Sequence, residues 1–319
     1  MTIHVQPVLV VKTAGEIALK THFVRRYFVN KLVAGMKSVC RAKRLSGNRF
    51  VKGNGRVFVF VQKENSEKKL ERLGVLFSRL FGVHEVALGF SFEFDSLNEI
   101  AGVSARVSGP WFKGLKTFAV RPRRVGNHSF SSHGVAVAVG SAVIALNKKL
   151  KVDLANPEME LFVEVRARNA TVFSNPIKGP GGLPLGVQGN VALLVRGKKE
   201  DALAGWLMMK RGCNVFPVLG PRVTVARAKK VLKVLHAWNL FRSFRFTPLK
   251  ELDFLVKNPS IGIQALATGD ARVSVQGLKD FLSFDSGIPI PVFRPLLFYS
   301  GNDLHLLGLR AAGVRGKSF

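Results

Sequence analysis

Gly179-Pro180-Gly181-Gly182-Leu183-Pro184-Leu185-Gly186 separates two kinds of sequence, and its reading decides the fold. Glycine and proline at this density exclude both helix and strand interiors, so the stretch marks a domain boundary. On its C-terminal side, Asn190 to Val195 reads as a buried strand and Ala202 to Arg211 as a helix stopped by Gly212. Cys213 to Leu219 is a second strand and Thr224 to Trp238 a second helix. On that helix Val231, Leu235 and Trp238 face inward, with Arg227, Lys230 and Lys233 outward. Strand, helix, strand, helix predicts an open parallel sheet whose ligand crevice lies beyond the strand C-termini.

The N-terminal side mixes elements differently. Val5 to Val11 reads as a first strand and not as a signal peptide, because Gln6 and Pro7 interrupt it and no basic segment precedes it. Val24, Phe28, Leu32 and Met36 form a helical stripe, with Arg25, Arg26 and Lys31 off it. Arg56 to Val61 predicts a strand after a Gly-Asn-Gly turn, and Lys68 to Phe81 a helix. Further strands are expected at Val86 to Phe94, Thr117 to Arg121, Glu160 to Val165 and Ala170 to Ser174, with a helix over Ser132 to Leu150. The expected division is 1–86 and 87–178, both α+β, followed by α/β over 179–319.

Composition narrows the partner. The 319 residues carry 49 Lys and Arg against 20 Asp and Glu, a formal net charge of +29, while 47% are hydrophobic and 25 are Phe. That is a packed, strongly basic protein rather than a disordered tail, and it favours a polyanion such as nucleic acid. Two cysteines, Cys40 and Cys213, exclude a disulfide framework and fit a reducing, cytoplasmic setting. No apolar run reaches the length of a membrane span, so no membrane partner is expected. The seven histidines show no metal-ligand spacing. Gly-x-Ser-x-Gly is absent, and Gly197-Lys198 lacks the rest of a Walker A motif.

Six stretches, in one order, resemble the tRNA 4-thiouridine synthetase (tRNA sulfurtransferase) family. Gly15-Glu16-Ile17-Ala18-Leu19-Lys20, followed by Arg25, Arg26 and Phe28, resembles its N-terminal ferredoxin-like domain. Lys151-Val152-Asp153-Leu154-Ala155-Asn156-Pro157, with Phe162-Val163-Glu164-Val165-Arg166, is similar to the end of its THUMP RNA-binding domain. The Gly179 to Gly186 stretch looks like its hinge. Trp206-Leu207-Met208-Met209-Lys210-Arg211-Gly212-Cys213 resembles the first helix of its PP-loop domain, an adenine nucleotide α-hydrolase-like parallel sheet. Ala265-Leu266-Ala267-Thr268-Gly269-Asp270 and Pro291-Val292-Phe293-Arg294-Pro295-Leu296 complete the resemblance.

The resemblance implies adenylation of a tRNA uridine and sulfur delivery from cysteine, which requires three features. The first is a phosphate cradle of the form Ser-Gly-Gly-x-Asp-Ser, in which glycines let pyrophosphate approach backbone N–H groups at a helix N-terminus. Here Arg196-Gly197-Lys198-Lys199-Glu200-Asp201 stands in its place. Lys198 replaces a glycine, and two adjacent carboxylates are expected to repel polyphosphate. The second is the rest of the ATP pocket, where Leu194, Val195, Gly269 and Gln276 match family positions. Gly269 also reads as a turn glycine and Gln276 as a helix-surface residue, and the segment between Asp270 and Gln276 is shorter than in the family. The third is a reactive cysteine. Cys213 reads as a small core residue. Cys40, among Lys37, Arg41, Lys43 and Arg44, is the more plausible thiolate, although it lies far in sequence from the expected crevice. The chain stops at Phe319, short of a later family cysteine.

RNA-binding chemistry is retained. Lys113, Lys116, Arg121, Arg123 and Arg124 fall on or beside one predicted strand, with Trp111 and Phe118 interleaved. A basic strand edge with Phe118 in the core is the plainer account of the same residues. Arg25, Arg26, Lys178, Lys198 and Lys199 extend the track. The expectation is a tRNA-binding protein without independent catalysis, acting as a helper or subunit in tRNA modification, with tRNA as partner and a second copy or an intact family member beside it. No cofactor is expected, and ATP with magnesium only if the chain is active. The alternatives are a divergent active tRNA sulfurtransferase making 4-thiouridine and a basic structural component of an RNA–protein particle.

Overall fold

The computed structural model describes residues 3–61, 66–240, 243–271 and 275–313. The chain begins with β1 (Val5–Thr13), α1 (Gly15–Ala18), α2 (His22–Ala42), β2 (Asn48–Gly53), β3 (Arg56–Val61) and α3 (Ser66–Phe77). Next come β4 (Val83–Glu93), α4 (Leu97–Ser108), β5 (Thr117–Val125), α5 (Ser132–Leu146), β6 (Lys151–Val152), β7 (Met159–Arg166), β8 (Asn169–Phe173) and β9 (Ile177–Lys178). After the Gly/Pro stretch follow β10 (Asn190–Val195), α6 (Lys199–Lys210), β11 (Asn214–Leu219), α7 (Val225–Val231), α8 (Lys233–His236) and β12 (Thr247–Pro248). The described residues end with α9 (Leu252–Lys257), β13 (Ile263–Ala267), α10 (Val275–Ser286), β14 (Val292–Phe293) and α11 (Gly301–Ala311). They form two compact units.

The first unit comprises residues 1–12, 45–78 and 84–178. Its sheet runs β2-β3-β1-β4-β8-β7-β5-β6, with β9 paired to β4. Ferredoxin-like antiparallel pairing (β1 with β3, β2 with β3) continues into parallel pairs of β5 with β6 and β7. One face is covered by α4 and α5, where Ile100, Val103, Val135 and Val139 meet Phe118, Leu161, Val163 and Val165. Both helices start on serine caps: Ser96 Oγ accepts from Glu99 N–H at 3.2 Å and Ser131 Oγ from Gly134 N–H at 3.0 Å. On the other face the sheet curls until Phe58 and Phe60 of β3 share a cluster with Phe162 and Phe173. There Arg56 Nε reaches Glu164 Oε2 at 3.0 Å, both side chains buried, and Arg166 lies over the Phe58 ring. Removing one partner of such a buried pair costs about 3–5 kcal/mol, because the other charge is left uncompensated.

The second unit comprises residues 13–44, 79–83 and 179–319. Its sheet is parallel throughout, in the order β12-β11-β10-β13-β14. One face carries Leu193 and Val195 against Trp206, Leu232, Leu235 and Trp238, with Phe81 in the same cluster. The other carries Ala192, Leu194 and Leu266 against Leu252 and Leu255 of α9. The Gly/Pro stretch is pinned in this unit. Gly182 has φ +72°, and a Cβ there would collide with the Lys210 carbonyl oxygen. Its N–H donates to Glu16 Oε1 at 3.1 Å. Two stretches far apart in sequence, Gly15 to Lys20 and Gly179 to Gly186, are therefore in contact.

The ferredoxin-like and parallel-sheet classes expected from sequence are present, with corrections in detail. β2 and α4 were not expected. α5 stops at Leu146 rather than Leu150, and α3 at Phe77 rather than Phe81, whose ring belongs to the second unit's core. The helix expected over Thr224 to Trp238 breaks at Leu232 into α7 and α8. β5 continues to Val125, which puts Arg123 and Arg124 on the strand itself.

Candidate functional site

In the second unit the chain moves from β10 outward to β11 and β12, then returns to the far side of β10 with β13. The crevice expected of such a sheet opens where the order reverses, beyond the C-termini of β10 and β13. The residues there are Arg196-Gly197-Lys198-Lys199 and Thr268-Gly269-Asp270. The resemblance had pointed to both stretches, and the topology brings them together.

What fills the crevice is a charged network built from the chain itself. Asp201, the third residue of α6, is wholly buried. Its Oδ2 accepts the N–H groups of Arg196 at 2.7 Å and Lys198 at 3.0 Å. These are the backbone donors that a helix-N-terminal cradle would aim at a phosphate. Burial pushes the Asp201 carboxyl above the usual carboxylate range, against the pull of the Lys198 and Arg196 N–H groups and the Arg196 charge. Gly197 supplies the turn, with φ +84°. Lys198 does not obstruct the loop as its bulk suggested, because its side chain is exposed.

The rest of the network joins β13 to β14. Arg196 Nη2 lies 2.6 Å from Asp270 Oδ1, and Arg294 Nε lies 3.3 Å from Asp270 Oδ2. Buried Thr268 donates its hydroxyl to Asp270 Oδ2 at 2.7 Å. Arg294 also forks onto both oxygens of Asp285, at 2.6 and 2.9 Å, and stacks over Phe281. The hydrogen bonds and charge of Asp285 raise the Arg294 pKa further. Both arginines are thus held by carboxylates, which sequence inspection of the loop alone did not reveal. Burial alone would raise the Asp270 pKa, but Thr268 and Arg196, helped by Arg294, outweigh it and hold it below the ordinary value.

The sign of the Asp270 shift gives a prediction. A carboxylate depressed in the folded state contributes stability above its unfolded pKa, near 3.9, and loses it as pH falls through the folded value. Asp270→Asn should therefore destabilise the protein at neutral pH, by about 1.5–3 kcal/mol for charge-assisted hydrogen bonds. The gap to the native protein should close in acid, as followed by denaturant melts at stepped pH. A gap independent of pH would mean that the ion pairs contribute nothing.

Gly269 is not a positive-φ glycine. A Cβ there would meet Asp201 N and Glu200 C, each at 2.6 Å, so glycine is required for β13 to pass against α6. Leu194 and Val195 are buried at the end of β10. Gln276 is on α10, and its side chain lies outside the described residues. Beside the crevice, beyond β11 and β12, a cavity of about 640 Å³ is lined by Leu219, Gly220, Val223, Leu249 and Ile288.

Both cysteines are buried. Burial raises the Cys213 pKa, the opposite of activation. Cys40, whose basic neighbours made it the better candidate of the two for a reactive thiol, faces inward on α2 with Met36 and Val39. Among the described residues no group of His, Cys, Asp and Glu is arranged to hold a metal, and no helix is long and apolar enough to cross a membrane.

The basic track divides between the units. In the first, Lys113, Lys116, Arg123 and Lys178 are exposed. Arg121 is paired with Glu160 at 2.7 Å and donates to the Leu154 carbonyl. Arg124 is half-buried and donates to the His128 carbonyl. Phe118 is fully buried, and Trp111 stacks on Phe90 with ring centroids 5.8 Å apart. In the second unit Arg26 is exposed, whereas Arg25 donates to the Lys20 carbonyl at 3.0 Å.

Known proteins share these features. Residues 8–87 match the ThiI ferredoxin-like domain and residues 94–175 the THUMP domain. Over 91% of its length the chain is 31% identical to the tRNA sulfurtransferase of Pyrobaculum aerophilum, and it spans 63% of that relative. It is also 31% identical to the probable tRNA sulfurtransferase of Methanobrevibacter smithii, over 91% of this chain and 82% of the relative. Two solved structures have the same fold. One is a protein of Pyrococcus horikoshii, with a TM-score of 0.81 at 23% identity over 95% of this chain and 99% of that one. The other is a 4-thiouridine synthetase in an RNA complex with bound ATP, with a TM-score of 0.76 at 22% identity over 97% and 86%.

Proposed function

This chain belongs to the tRNA sulfurtransferase family, and from that premise we propose that it binds tRNA without itself carrying out ATP-dependent sulfur transfer. One observation carries the second half of this reading: the loop donors that would receive a phosphate are already held by the buried carboxylate of Asp201. An incoming polyphosphate must expel a carboxylate from a solvent-free position beside Glu200, against like-charge repulsion. Both cysteines lie in packed interiors, so neither is set up as a sulfur carrier. The protein then serves tRNA modification as a binding helper or subunit beside a second copy of itself or an intact family member, the latter supplying the chemistry.

The tRNA half rests on the THUMP domain and the net charge of +29. Arg123, Lys113 and Lys116, and Lys178 on β9, are exposed cations of the first unit that hold phosphate in this reading. A second reading, a divergent active enzyme, is favoured by the 640 Å³ cavity beside β11, which is of ligand-binding size.

Two titrations separate the readings. Calorimetry of the native protein with magnesium-ATP should give no binding in the micromolar range; micromolar, magnesium-dependent binding would restore the enzyme. Fluorescence titration with folded tRNA should give affinity that falls steeply with salt. Arg121→Ala with Arg123→Ala should lower both affinity and salt slope. Because Arg121 also holds Glu160, Lys113→Ala with Lys116→Ala is the companion pair, with about one unit of slope lost per phosphate contact removed. If both pairs bind like the native protein, the THUMP strand is not in the interface. A Cys40→Ser, Cys213→Ser protein should keep tRNA binding, and cells carrying it should keep their 4-thiouridine content.

A further inference from the structure

Between Asp201 and Glu251 the chain has ten Lys or Arg and no Asp or Glu. A solvated helix face normally mixes the signs, pairing them three or four residues apart. Here the crossover from β11 to β12 buries Ala228, Leu232 and Leu235 and turns Arg227, Lys229, Lys230 and Lys233 outward, all exposed. Arg222, in the turn before α7, is exposed as well. Among the described residues Arg222, Lys229, Lys230 and Lys233 have no ion-pair partner. So much unbalanced charge repels itself in the folded state, and a polyanion relieves that repulsion.

The patch is also tied to the crevice. Arg227 donates to the Gly197 carbonyl from Nε at 3.4 Å and from Nη2 at 3.2 Å. That fixes the start of α7 against the loop that carries exposed Lys198 and Lys199. Arg227 thus sits beside the loop cations at the C-terminal end of β10, and Lys229, Lys230 and Lys233 follow it along the exposed side of α7 and α8.

We propose that this surface is a phosphate-binding face for RNA, distinct from the THUMP strand, which holds the backbone of a bound tRNA against the mouth of the crevice. The inference rests on the reading that the chain binds tRNA. A membrane surface is the poorer fit, because an interfacial helix needs an outward apolar face, and the apolar side of α7 and α8 is spent on the core. RNA is favoured over an acidic protein because the surface is made of cations on exposed stems, with Val225 as its exposed large hydrophobic and no Phe, Tyr or Trp anchor on α7 or α8.

The test is a variant with Lys229→Ala, Lys230→Ala and Lys233→Ala, titrated with folded tRNA from low to high potassium chloride. All three side chains are exposed, so thermal melting should match the native protein. The expected result is a salt slope smaller by about 2–3, at 0.7–0.9 per phosphate contact, and affinity weaker by roughly 10- to 100-fold at 0.15 M salt. Charge reversal at the same positions should weaken binding further. A triple variant that binds with native affinity and slope overturns this surface and leaves the tRNA reading standing. A native protein that does not bind tRNA overturns both.

Discussion

Asp201→Ala should lower the stability of the second unit by about 2–4 kcal/mol. The carboxylate is wholly buried, and it alone accepts the N–H groups of Arg196 and Lys198. Without it those donors at the start of α6 are left unsatisfied, and a cavity opens beneath them. Asp201→Asn should be milder, since the amide oxygen can accept both bonds without burying a charge. It should also remove a pH dependence. The folded-state pKa of Asp201 is raised, so its contribution is full below the unfolded value and is lost as pH rises through the folded one. Denaturant unfolding at stepped pH reads both effects, and an alanine variant as stable as the native protein would show that the loop holds itself. Lys198→Gly, which restores the family's glycine, should not bring ATP binding, because Asp201 still occupies the donors. Calorimetry on that variant checks it.

Gly269→Ala should cost about 3 kcal/mol, toward the upper end of overpacking effects. A methyl group at this position meets the backbone of Glu200 and Asp201, which cannot rotate away as a flexible side chain would. β13 must move from α6, and the Thr268–Asp270–Arg196 network moves with it. The control is Gly308→Ala on α11, where a Cβ meets nothing within 4 Å. There the substitution should stabilise by about 0.5–1 kcal/mol, from helix propensity and a less flexible unfolded chain. Thermal melts of the two variants should shift in opposite directions. Equal shifts would mean that the close approach of β13 to α6 is not tight in solution.

Much of the architecture is legible in local sequence because the signals are local. The inward stripe Phe28, Leu32, Met36 follows from helical period, and the buried run of β3 from its β-branched and aromatic content. The hinge follows from glycine and proline, whose backbone limits are intrinsic. The strand–helix alternation after it was enough to expect a parallel sheet. Boundaries were less legible. α5 ends at Leu146 because Asn147 leaves the helical region, and nothing in the apolar pattern before it signals that.

The sequence by itself determined the family, the fold class, the strong positive charge and the altered loop Arg196 to Asp201, since each is a property of residue identity and short-range order. What that loop does was decided only by the tertiary structure. Asp201 reads in sequence as a charge facing an incoming phosphate; folding buries it as the acceptor of the Arg196 and Lys198 N–H groups. Lys198 reads as an obstruction and is exposed. Gly269 reads as a turn and is a close approach. Arg121 reads as a free cation and is paired with Glu160, while Cys40 reads as activated by its neighbours and is packed inside. In each case a residue's chemistry depends on groups brought to it from distant sequence by sheet register and helix packing, and the local sequence holds no record of those neighbours.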